Sequence, residues 1–116
     1  MPDVCRGDVF FANLNPTLGS EQSGTRPVVV VSRNAINANS PVVVVLPITS
    51  ANNKRKLYPS QVAVPAGAGG LVNESVVLCE QVRTISKERL QIRKGNFDSA
   101  IMAQIEAAIR ITLDLA

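Results

Sequence analysis

The chain has 116 residues, twelve Lys and Arg against nine Asp and Glu, and no histidine, giving a formal net charge of +3. Hydrophobic residues make up 46% and charged residues 18%, which excludes a disordered chain and suits one domain over residues 1–116. The longest apolar run, Pro41 to Ile48, has strand length and falls far short of a membrane span, so no membrane partner is expected.

Val9 to Leu14 reads as a first strand, ended by Asn15-Pro16, because the residue before a proline is driven out of helical geometry. Gly19 to Pro27 is a polar, glycine-rich loop that turns at its proline into Val28 to Val31. Pro27 to Ser32 and Val42 to Ile48 are continuous β-branched runs, the pattern of buried strands. Gln61 to Val64 is a short strand between Pro59 and Pro65, and Ala66 to Gly70 is a glycine-rich turn. Ser75 to Thr84 reads as one longer strand, with Val76, Leu78 and Val82 on one face and Val77, Cys79 and Gln81 on the other. Within it Cys79 is expected as a buried small hydrophobe. Ser86 to Arg89 looks like a single capped helical turn. Asp98 to Leu115 places Ile101, Ile105, Ile109 and Thr112 near helical spacing, with Asp98 as the N-cap. Strands followed by one terminal helix predict a mainly β, α+β domain. Its sheet is small, antiparallel and strongly bent, or a barrel, closed by the C-terminal helix.

With no histidine in the chain, acid–base chemistry would fall to Glu21, Arg26 and hydroxyl groups. Glu21 and Arg26 share the first long loop, either as a surface ion pair worth under about 1 kcal/mol or as part of an anion site. Arginine stays protonated and grips a phosphate as a fork. Thr49-Ser50 ends a buried strand, where hydroxyls either satisfy a turn or bond a reacting oxygen. Lys54-Arg55-Lys56 is a basic cluster, readable as solvated loop charge or as a phosphate-steering patch. Glu80-Gln81-Val82-Arg83 puts polar groups into an apolar strand, where they must pair or line a groove. Arg6-Gly7-Asp8 spells an integrin-binding tripeptide, read here as coincidence. Neither a histidine nor a cysteine cluster offers a zinc site, the acids show no close set, and no phosphate-binding or dinucleotide fingerprint occurs, so no cofactor is expected. With no secretory signal pattern, a reducing cytoplasm is the expected compartment.

Several stretches together resemble the MazF/PemK family of toxin endoribonucleases. They are Arg6-Gly7-Asp8-Val9, Leu14-Asn15-Pro16, Gly19-Ser20-Glu21-Gln22, Gly24, Arg26-Pro27-Val28-Val29-Val30, Pro47-Ile48-Thr49-Ser50, Gly70-Leu71, Ser75-Val76-Val77 and Glu80-Gln81-Val82-Arg83-Thr84-Ile85. The resemblance spans nearly the whole chain. It implies a homodimer of small SH3-like, CcdB-like antiparallel barrels that cleaves single-stranded RNA without metal. It also implies a cognate antitoxin, acidic and partly disordered, that blocks the toxin. By position Arg26 and Thr49 match the residues this family uses in catalysis, with Glu21 as a base or a reader of base edges. Ser20, Gln22, Ser50, Lys54, Arg55, Glu80, Gln81 and Arg83 fall among the expected RNA contacts. The competing expectation is a binding toxin of the same fold that poisons DNA gyrase, or an inactive interaction module. The gyrase group relies on a tryptophan, and this chain has none.

Overall fold

The computed structural model describes residues 3–51 and 56–116. In chain order its elements are β1 (Asp8–Asn13), β2 (Thr25–Val30), α1 (Asn34–Asn39), β3 (Val42–Ser50), β4 (Gln61–Val64), β5 (Ser75–Leu78), β6 (Arg83–Ser86), β7 (Leu90–Asn96) and α2 (Ser99–Leu113). Short 3-10 turns lie at Ala68–Gly70 and Lys87–Arg89. Every pairing is antiparallel, in the order β4-β5-β3-β2-β1-β7, with β6 also on β3. The result is the expected barrel-like sheet with a C-terminal helix, although no ladder among the described residues joins β4 to β7. No helix among those residues is long and apolar enough to cross a membrane.

Both faces of the central strands are covered. Val9, Val29, Leu46 and Ile48 join Met102, Ile105 and Ala108 of α2 in one core. Their neighbours Phe10, Val28, Val30, Val43 and Val45 fill a second core on the opposite face. This accounts for the unbroken apolar runs: a strand buried on both sides needs no polar alternation. α2 is capped as predicted, the Asp98 carboxylate accepting from the Ile101 N–H at 2.9 Å. Cys79 is fully buried, as expected.

The strand expected over Ser75 to Thr84 is instead two strands, and the break has a cause in β3. The Val31 N–H donates to the Val44 carbonyl, so Val44 and Leu46 aim their N–H groups at β2. Val43, Val45, Pro47 and Thr49 therefore face the opposite edge, and Pro47 has no N–H to offer there. Pairing along that edge stops at Ile48–Val77 and resumes at Val45–Arg83. Glu80 to Val82 leave the sheet as a turn after Cys79, whose N–H still donates to the Ser60 carbonyl at 3.0 Å. The expected alternation of Glu80 and Val82 against Gln81 and Arg83 is thereby replaced by a projecting loop.

Two elements have no counterpart in the sequence reading. α1 is short and rich in asparagine; the buried Asn37 holds it, accepting from Ser32 Oγ and donating to the Ser32 carbonyl at 2.8 Å. β7 is largely polar and pairs β1 through irregular register. It supplies Arg93, which donates to Asp8 at 3.0 Å, and Asp8 also accepts from the Cys5 N–H. This contact raises the affinity of the Arg93 guanidinium for its proton. Asp8 is only 3% exposed, so the Arg6-Gly7-Asp8 tripeptide is not displayed.

Candidate active site

Two clefts open on β3. The larger, about 440 Å³, lies between the loop after β1 and the turn forced out at Pro47. Ser20, Glu21, Gln22, Glu80, Gln81 and Arg83 line it, over an apolar floor that includes Leu14, Val45 and Pro47. The Gln81 amide clasps the loop from both sides. Its Oε1 accepts from the Gln22 N–H at 2.9 Å and its Nε2 donates to the Ser20 carbonyl at 3.4 Å. Glu21 folds its own turn, the carboxylate accepting from the Leu18 N–H at 2.6 Å. Glu80 accepts from Gln61 Nε2 at 2.9 Å. Beside Glu80, burial and then the neighbouring carboxylate push the Cys79 thiol up to about 12.

The smaller cleft, about 280 Å³, holds Arg26 from β2, Thr49 and Ser50 from β3, Asn73 from the loop before β5 and Lys94 from β7. Arg26 Nε donates to the Ser23 carbonyl at 2.9 Å, which fixes the guanidinium against its own loop. The surface ion pair left open by the sequence does not form: Glu21 and Arg26 turn to different partners and different clefts. No carboxylate lines the smaller cleft among the described residues, whereas the larger one carries two.

One wall of the smaller cleft depends on glycine. Gly70 sits at φ +78°, and a Cβ there would lie 2.1 Å from the Lys94 carbonyl oxygen. Gly95 meets Gly69 in the same way, 2.8 Å from its carbonyl carbon. The turn thus lies flat on β7 and carries Leu71, Val72 and Asn73 to the cleft.

The expected catalytic residues are therefore divided, Arg26 and Thr49 together and Glu21 apart. Of the expected RNA contacts, Ser50 lies with Arg26, while Ser20, Gln22, Glu80, Gln81 and Arg83 lie with Glu21. Lys54 and Arg55 fall outside the described residues. Phe11, Asn73 and Lys94 were missed by the sequence reading. For Lys94 the available signal was Arg93-Lys94-Gly95, a basic pair before a glycine, in a segment not read as a strand.

The class that fold and site define is a small antiparallel barrel-like sheet closed by one C-terminal helix, with a cationic cleft beside a mixed-charge cleft on the same strand. Residues 5–113 match the PemK-like, MazF-like toxins of type II toxin–antitoxin systems, and the chain belongs to that family. It is 43% identical over 112 residues to endoribonuclease EndoA of Bacillus subtilis strain 168, covering 97% of this chain and 96% of that protein. It is 40% identical over 112 residues to endoribonuclease MazF of Staphylococcus epidermidis, covering 97% and 92% of the two chains. Among solved structures, a mycobacterial endoribonuclease in complex with its cognate antitoxin superposes with a TM-score of 0.80 at 26% identity, over 97% of each chain.

Proposed function

We propose that this chain is the endoribonuclease toxin of a type II toxin–antitoxin pair, cutting single-stranded RNA in the cytoplasm without a metal ion. The observation that carries the reading is the meeting of Arg26 and Thr49 in a cleft lined by no carboxylate among the described residues. The family membership and the endoribonuclease names of its relatives support it.

RNA carries its own nucleophile. The 2′-hydroxyl oxygen attacks the adjacent phosphorus, the P–O5′ bond breaks, and the 5′ oxygen gains a proton as the 2′ oxygen loses one. The products are a 2′,3′-cyclic phosphate and a 5′-hydroxyl. Negative charge gathers on the non-bridging oxygens, where a guanidinium in a partly dry cleft stabilises it. A guanidinium stays protonated, so Arg26 suits charge stabilisation and proton delivery to the leaving oxygen better than general-base work. Thr49 adds a hydrogen bond from its hydroxyl. Glu21, with Glu80 and Gln81 in the other cleft, suits the reading of base edges, since carboxylates and amide oxygens accept from base amino groups. In this reading two copies form a dimer with a continuous channel, and an acidic antitoxin segment inhibits by occupying it.

The test uses a single-stranded RNA containing a cleavage site mapped on a long transcript, in excess EDTA. Cleavage is expected to persist, and a 2′-deoxy substitution at the cut position should leave binding intact while stopping cleavage. Activity that vanishes in EDTA and returns with magnesium, or equal cleavage of the deoxy substrate, refutes the mechanism.

A further inference from the structure

We infer that Lys94 is a substrate-contacting residue, holding the RNA phosphate next to the one being cleaved; this rests on the functional reading above. Lys94 shares the smaller cleft with Arg26, Thr49 and Ser50. It is half-buried and has no ion pair among the described residues. Its ammonium instead sits 5.2 Å from the centre of the Phe11 ring, in the same cleft. A cation over a ring face is weakly held beside an ionic contact, so an arriving phosphate displaces the ring readily.

The backbone beneath it is closely packed: the Lys94 carbonyl lies where a Gly70 Cβ would be, so the Ala68–Gly70 turn rests directly on the lysine's main chain. Strand order supplies the division of labour. Arg26 is on β2 and Lys94 on β7, with β1 between them. Two strand spacings across, with Arg26 opposite Ala12 and Lys94 between the partners of Phe10 and Val9, place their backbones about 13 Å apart. That separation suits two successive phosphates better than one shared phosphate. Lysine, a flexible point charge, suits a standing phosphate, whereas the planar fork of Arg26 suits the reacting one.

The experiment compares Lys94→Gln and Lys94→Arg with the parent on the mapped RNA, in single-turnover cleavage across a salt series. Lys94→Gln should raise KM about fivefold at low salt, the scale of one exposed ionic contact, with kcat nearly unchanged. The slope of log affinity against log salt should fall by about 0.7, one phosphate contact on a single strand. Lys94→Arg should restore the slope, a readout that a merely structural role would not move. Binding of the 2′-deoxy oligonucleotide isolates the contact from the chemistry. An unchanged KM and slope in folded Lys94→Gln overturns the inference, as does a loss confined to kcat. If Lys94→Gln fails to fold, a Lys94→Arg variant with a lowered slope overturns it equally. Arg26→Ala is run in parallel: if it cleaves at the parental rate the functional reading fails, whereas a dead Arg26→Ala beside an unaffected Lys94→Gln removes only this inference.

Discussion

Under the proposed function, replacing Arg26 by alanine should separate catalysis from folding. Arg26 is half-buried at the start of β2, and its one side-chain hydrogen bond among the described residues runs to the Ser23 carbonyl in an exposed loop. Losing that bond costs about 1 kcal/mol at most, since the freed carbonyl turns to water. In a domain this small, about 1 kcal/mol lowers Tm by roughly 4–8 °C. Loss of one positioned donor to a developing oxyanion costs about 10²–10³ in rate, roughly 3–4 kcal/mol. The rate effect should therefore exceed the stability effect several-fold. Single-turnover cleavage at saturating RNA, with thermal unfolding in the same buffer, reads both. Arg26→Lys should recover stability but not the full rate, because a point charge replaces a fork. A folded Arg26→Ala protein that cleaves within a few-fold of the parent refutes the assignment of the smaller cleft as the catalytic one.

Other consequences follow from named contacts. Gly70→Ala must displace the Lys94 carbonyl as well as adopt a positive φ, so it should destabilise the domain by about 2 kcal/mol or more and weaken cleavage through Leu71 to Asn73; a Tm within 2 °C of the parent, as a rough limit, contradicts this. Asp8→Ala removes the acceptor of both Arg93 and the Cys5 N–H and should lower stability by about 1–3 kcal/mol, with kcat of the surviving folded fraction unchanged. At pH 8 a thiol reagent should label the exposed Cys5 quickly and the buried Cys79 only on unfolding. Cys79 is held protonated in the fold, with its pKa raised from 9.0 to about 12, so its contribution is complete below pH 9 and is lost as pH rises from 9 toward 12. Urea titrations at pH 8 and pH 10 should differ in that direction beyond the change in a Cys79→Ala variant.

The parts of the fold that were legible from sequence are those where burial dictates residue type. Val28, Val29, Val30, Val43 and Val45 are β-branched and fully buried, divided between the cores on the two faces of the sheet, and Asp98 declares a helix start through a local hydrogen bond. The break after Leu78 was hidden because its cause is Pro47, a residue of another strand whose missing N–H matters only once the two are paired. α1 and β7 were hidden for a related reason. Asn37 and Arg93 are held by tertiary partners, Ser32 and Asp8, and not by propensity. At the site, spacing along the loop suggested that Glu21 and Arg26 act together. The chain instead turns between them, and which cleft each enters is a property of the folded loop.

That separation decides how a nucleic acid strand would lie on this face. The cleft with Arg26 and Lys94 presents two cations and no carboxylate among the described residues, so it favours anions, the phosphates of an RNA strand among them. The cleft with Glu21, Glu80 and Arg83 has the opposite balance, and a phosphate there would face two carboxylates at close range. A base has no such conflict, and its amino groups find acceptors in Glu21, Glu80 and the Gln81 amide. Since Gln81 already clasps the loop through Gln22 and Ser20, a base entering this cleft meets walls set in advance. Salt should therefore act mainly through the first cleft and sequence preference through the second. Gln81→Ala should broaden the set of cleaved sequences and leave the salt slope unchanged, whereas Lys94→Gln should lower the slope and leave the cleaved sequences as they were. Sequencing the 5′ ends of fragments from one long transcript cut by each variant reads the first effect. If Gln81→Ala keeps the parental cleavage pattern, or if Lys94→Gln alters it, the assignment of bases to one cleft and phosphates to the other is wrong.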